Sequence, residues 1–179
     1  MSGRAQILGR ALDALAGQCA EKPWREVTLR GIAGAAGLSL AELYAEANSK
    51  TVLIDFLAER LDEAALATAA TPSDDVHDAL FDAAMARIEA MGPWRNVLGG
   101  VSGSALIPLL PHLPRTARAI LEAAGVEATA PRVIAMTLVW ARSVQVWRAD
   151  EGALNRTMAE IDRRLKQMRE RLAVIGAGF

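Results

Sequence analysis

Between residues 4 and 20 the apolar positions Ile7, Leu8, Ala11, Leu12, Leu15 and Ala16 recur at i, i+1, i+4 and i+5, the stripe of an amphipathic helix. Pro23 and the polar residues of 18–27 interrupt that stripe and read as a connection. Thr28 is a good cap for a short helix through Ala36, and Gly37 sits where such a helix ends in the left-handed conformation. Ser39 caps a second short helix to about Ala47, and Ser49 opens a long one carrying Val52, Leu53, Phe56, Leu57 and Leu61. Beyond Thr71-Pro72-Ser73 the pattern predicts further helices over about 74–91, 94–110, 115–124, 130–149 and 153–175. The second of these holds three glycines and runs into a proline-kinked segment from Pro108 to Pro114. The expectation is an all-α chain of about nine helices, with a head over 1–50 and a helical body over 51–179.

The last two helices carry regular seams. Leu154, Met158, Ile161, Leu165, Met168, Leu172 and Ile175 alternate spacings of four and three, as in a coiled coil. Val133, Thr137, Trp140, Val144 and Trp147 follow the same alternation, with Arg142 the only charge between Val133 and Trp147. A helix apolar on most faces must bury more than one side. Such a pair suits a four-helix bundle across a two-fold homodimer, with Val133, Trp140, Val144, Trp147, Met158, Ile161, Leu165 and Met168 at the interface. The competing expectation is that both seams go into the core of the chain itself.

Composition narrows the class. Over 179 residues, 52% are hydrophobic and 23% charged, which excludes a disordered chain. Abundant alanine and leucine favour helix over sheet. A net charge of −1 advertises no global field for nucleic acid, so any DNA contact must rest on a local patch. One cysteine, Cys19, precludes an intrachain disulfide and reads as a small core residue. Arg4, Arg10 and Asp13 break the first segment in a way that does not suit a signal peptide, and the longest apolar run falls short of a membrane span. The expectation is a cytoplasmic protein.

The run Val27 to Leu57 resembles the DNA-binding head of the TetR family of regulators. The likeness rests on Thr28 opening the first motif helix, Ile32 and Ala33 within it, the Ala36-Gly37-Leu38-Ser39 turn, Leu43-Tyr44, and Ser49-Lys50. The spacing agrees: Ile32, Ala33, Leu38, Leu43 and Ala47 can meet in one small core, and Gly37 supplies the turn of a helix-turn-helix. The second helix is then presented as a recognition helix. The resemblance implies DNA contact through Thr28, Arg30, Ser39, Glu42, Tyr44 and Lys50, with Thr28, Tyr44 and Lys50 at phosphate-contacting positions. Where family members often carry a core phenylalanine this chain has Ala47, and Glu42 and Glu46 share one face of the recognition helix. Carboxylates on such a face oppose the counterion release that drives DNA binding.

The body carries a second resemblance. The pattern Trp147, Asp150, Arg156, Thr157, Met158 is similar to that of TetR-fold proteins related to the lipid-binding protein of ubiquinone biosynthesis. That likeness implies a TetR fold without DNA binding and an isoprenoid or other lipid held in the helices. An apolar ligand is physically plausible among Met85, Met91, Trp94, Leu98, Leu106, Leu109, Met136 and Trp140, since methionine adapts to flexible ligands. The same residues also read as ordinary core. The two readings are a ligand-responsive regulator and a lipid-binding accessory protein.

His77 and His112 have no metal-ligand spacing around them, and there is no phosphate loop or nucleophile elbow, so neither metal, cofactor nor enzyme activity is expected. Arg163, Arg164, Lys166, Arg169 and Arg171 lie outside the last seam. They read as a solvated face beside Glu160, Asp162 and Glu170, or as a peripheral contact with an anionic membrane.

Overall fold

The structure, a computed structural model, describes residues 3–71, 73–100, 111–150 and 153–179. Its regular elements are helical: α1 (Gly3–Glu21), α2 (Leu29–Ala35), α3 (Leu40–Glu46), α4 (Lys50–Ala67), α5 (Val76–Met91), α6 (Arg95–Gly100), α7 (His112–Ala123), α8 (Ala130–Ala149) and α9 (Asn155–Val174), with short 3₁₀ turns between some of them. No described helix is long and apolar enough to cross a membrane.

The chain packs as two compact units, Met1–Glu59 with Pro93–Leu110, and Arg60–Gly92 with Pro111–Phe179. A break between 50 and 51 is what the sequence suggested. The compact units divide inside α4, and α6 goes with the first unit, where it packs on α1.

In the first unit α1, α2 and α3 pack pairwise around Leu8, Leu12, Leu15, Ile32, Ala33, Leu43 and Ala47, all at most 1% exposed. Leu38, expected in that core, is half-buried. The α2 exit explains Gly37. Leu38 N–H donates to Ala33 O and Gly37 N–H to Gly34 O, a paired closure that requires Gly37 itself to be left-handed. Gly37 has φ +64° accordingly. The Arg10 guanidinium of α1 donates to Gly37 O at 2.9 Å and also to Ala36 O, so the turn is held from outside as well.

In the second unit α8 packs against both α7 and α9, and α5 against α7 and α9. The segment His112-Leu113-Pro114, expected as part of a kink, is the first turn of α7. Proline is tolerated there because first-turn N–H groups have no intrahelical partner. The α8–α9 connection is unusual. Leu154 precedes α9 with φ 58° and supplies no side-chain cap. Asp150, at the end of α8, takes that role: its Oδ2 accepts from the Thr157 N–H and the Thr157 hydroxyl, each at 3.0 Å. Burial works against the Asp150 charge, but these bonds win and hold its carboxyl below the usual range.

Candidate nucleic-acid interface and the helical body

The head is built by its caps. Thr28 Oγ1 accepts from Gly31 N–H at 3.1 Å and starts α2. Ser39 and Glu42 form a reciprocal capping box: Ser39 Oγ accepts from Glu42 N–H at 3.1 Å, and Glu42 Oε2 accepts from Ser39 N–H at 2.8 Å. With Leu43 and Ala47 turned inward, α3 exposes Leu40, Ala41, Glu42, Tyr44 and Ala45, of which Ala41, Tyr44 and Ala45 lie three and four apart on one face. Tyr44 is 58% exposed. Arg30 is exposed on α2.

The two recognition-helix carboxylates are both engaged. Glu42 folds back onto Ser39, and the bonds from Ser39 hold its carboxyl below the usual range. Glu46 Oε2 meets Arg4 Nε of α1 at 3.6 Å. The acidic face read from the sequence is therefore partly answered by the head's own donors. Lys50 is also engaged. Its ammonium donates to Trp24 O and Val27 O at 2.6 and 2.8 Å and lies 4.4 Å from the Trp24 ring centroid. Desolvation pushes its pKa below the ordinary lysine value. Lys50 was expected to project toward phosphate; in the structure it points back into the head.

In the second unit most of the expected interface seam is buried within the chain. Val133, Trp140, Trp147, Ile161, Leu165 and Met168 are at most 5% exposed. They fill the core between α7, α8 and α9, so the seam assignment is corrected: only Val144, half-buried, and Met158, at 41%, keep exposed surface. The outward apolar ridge of α8 is instead Ile134 and Leu138, 64% and 66% exposed and one turn apart. Both line an apolar groove of about 510 Å³ together with Ala135, Val139, Met168 and Leu172, with Arg164 and Arg171 also in its wall.

The residues expected to line a ligand cavity divide. Met85, Met91, Met136 and Trp140 are buried in the second unit; Trp94 and Leu98 belong to the first; Leu106 and Leu109 lie outside the described residues. Two of them pack on a side chain the sequence reading missed. Arg87 donates to the Met91 sulfur at 3.4 Å, and its guanidinium lies 4.8 Å from the Trp140 ring centroid. Arg87 Nε also donates to Asp62 Oδ1 at 2.8 Å, where the Thr116 hydroxyl donates at the same distance. This polar cluster joins α4, α5 and α7 within the apolar core. The available signal was phase: Arg87 falls on the stripe of Ala83, Ala84, Ile88 and Met91, and Asp62 sits between Leu61 and Ala65.

The surface of the same unit is laced by ion pairs. Glu160 accepts from Arg163 and Arg164 and meets Arg142 Nε at 3.4 Å; Asp162 accepts from Lys166 and pairs with His77 at 2.9 Å. The basic positions of α9 named from the sequence thus include three with carboxylate partners. Among the described residues, no group of acidic, histidine and cysteine side chains could hold a metal ion.

A capped helix-turn-helix unit joined through α4 to a helical unit is the fold of TetR-type transcriptional regulators. The structure is similar to that of a TetR transcriptional regulator from Nitrosomonas europaea ATCC 19718, at 21% identity, TM-score 0.73, 90% of this chain and 97% of that one. It is also similar to a TetR transcriptional regulator from Rhodococcus sp. RHA1, at 18% identity, TM-score 0.71, 93% of this chain and 97% of that one. No family model and no curated protein matches the chain.

Proposed function

We propose that the protein is a DNA-binding transcriptional regulator that acts as a homodimer and has no enzymatic role. The observation that carries this reading is the recognition helix. Its outward positions Ala41, Tyr44 and Ala45 carry no charge, and the exposed Glu42 and the half-buried Glu46 are bound to Ser39 and Arg4. Small and phenolic side chains fit a major groove through contact with thymine methyls and phosphate oxygens. The head supplies few cations, so binding should depend less steeply on salt than that of strongly basic heads.

The dimer reading is supported by the exposed Ile134 and Leu138, which with Val139, Met168 and Leu172 form one open apolar face of α8 and α9. Under a two-fold, this face of one copy can pack against the same face of the other. The ligand is proposed as an apolar small molecule. The alternative, a lipid-binding accessory protein of ubiquinone biosynthesis or a peripheral membrane contact, draws on Trp147, Asp150, Thr157 and the basic residues of α9. Asp150 and Thr157 have a structural task here, closing the α8–α9 corner, and Trp147 is spent in the core, which favours the regulator.

The test is selection of duplexes from a random-sequence pool, followed by anisotropy at about 150 mM salt. A selected palindrome whose binding falls on Tyr44→Ala supports the reading; recovery of no enriched duplex overturns it. Leu138→Glu should turn a sedimenting dimer into a folded monomer. A monomeric parent protein would sink the dimer. Co-purified isoprenoid found by native mass spectrometry, without DNA binding, would favour the alternative.

A further inference from the structure

Three lysines occur in the chain, at 22, 50 and 166, and Lys50 is the one placed where α4 begins. Its ammonium has three N–H donors. Trp24 O and Val27 O take bonds from it at 2.6 and 2.8 Å, and the Trp24 ring lies under it at 4.4 Å from the centroid. Trp24 begins the 3₁₀ turn Trp24–Glu26, and Val27, 2% exposed, comes immediately before the Thr28 cap of α2. The segment between α1 and α2 is otherwise closed by few bonds of its own, Glu26 N–H to Pro23 O and Val27 N–H to Trp24 O.

We infer that Lys50 is a positioning residue that fastens the start of α4 to the Trp24–Val27 segment, and is not itself a phosphate-binding cation. Three independent contacts point the same way. Two of its three N–H donors and its aromatic face are already committed within the head, so extending the ammonium outward to a phosphate would surrender them together. What the latch fixes is the approach of the chain to Thr28 and Arg30, and hence the setting of α2 beside α3. The consequence for DNA rests on the regulator reading above; the latch itself does not.

Two measurements separate the cases. First, the salt dependence of binding to a duplex selected from the random pool is compared for the parent protein and Lys50→Met. A latch predicts affinity lower by about tenfold, equal to ~1.4 kcal/mol, at an unchanged log–log slope. A direct phosphate contact predicts a slope shallower by about 0.9. That result, or an unchanged affinity, overturns the inference. Second, the ε-methylene proton resonances of the three lysines are recorded without DNA. Lys50 is expected upfield of Lys22 and Lys166, displaced by the Trp24 ring current, and should return toward them in Trp24→Leu. Coincidence of all three in the parent protein overturns the latch. If no duplex is selected, the regulator reading fails while the lysine resonances still decide the latch.

Discussion

Asp62→Ala should be among the most damaging single substitutions in the second unit. The Asp62 and Arg87 side chains are 4% and 6% exposed, and the carboxylate accepts from Arg87 Nε and the Thr116 hydroxyl at 2.8 Å while facing Arg115 Nε at 3.4 Å. Removing the carboxylate strands a buried guanidinium between Trp140 and Met91 without its counter-ion. Breaking one side of a buried ion pair costs about 3–5 kcal/mol. The Thr116 hydroxyl, 1% exposed as a residue, loses its acceptor too, adding on the order of 1 kcal/mol. In a chain of this size each kcal/mol lowers the midpoint by about 2–4 °C, so calorimetry should record a fall of roughly 8–24 °C. Urea unfolding followed by circular dichroism gives the free-energy loss directly. The decisive companion is Asp62→Leu with Arg87→Met, which removes both charges and keeps the volume. Most of the loss should return, since apolar replacement of a buried pair is often neutral or stabilising. A loss below about 1 kcal/mol in the single variant, or a double variant as unstable as the single one, would refute the reasoning.

Other substitutions probe the head and the surface. Gly37→Ala should cost about 1–2 kcal/mol by urea unfolding, because the position has φ +64° and a Cβ there would lie 3.1 Å from Arg10 Nη2; a neutral result would mean that the turn relaxes. Ser39→Ala should cost about 1 kcal/mol by deleting the α3 cap, and chemical shifts should report fraying at 40–42. Glu160 is lowered in pKa: burial opposes its charge, but Arg163 and Arg164 outweigh burial. A depressed carboxylate contributes stability above its unfolded pKa and loses it as pH falls through the folded one. Stability should therefore drop below about pH 4.3, and Glu160→Gln should flatten that part of a pH series; parallel curves would exclude the arginine cluster as the cause.

The head was legible in sequence because its determinants are local. A threonine or serine cap acts on an amide three residues away, and Gly37 is needed where one backbone position must be left-handed. The same local reasoning gave the helical extents of α5, α8 and α9 to within a few residues. The sequence carried the periodicity of the α8 and α9 seams but not their partner, since an apolar stripe is equally satisfied by a neighbouring helix or by a second copy. Tertiary structure decided that α7, α8 and α9 cover one another, leaving Ile134 and Leu138 outside.

Charges followed the same division. Glu42, Glu46 and Lys50 looked like a DNA-facing set because sequence shows only residue type and helix phase. Where each head group ends depends on donors and acceptors brought near by folding: Ser39 for Glu42, Arg4 for Glu46, and the Trp24 and Val27 carbonyls for Lys50. Asp62, Arg87 and Thr116 are separated by 25 and 29 residues along the chain, and nothing local pairs them. Capping and period were thus determined by the sequence itself, through interactions spanning at most a few residues. Only the tertiary structure decided which charges are neutralised and which apolar face remains open, because both depend on contacts between residues distant in the chain.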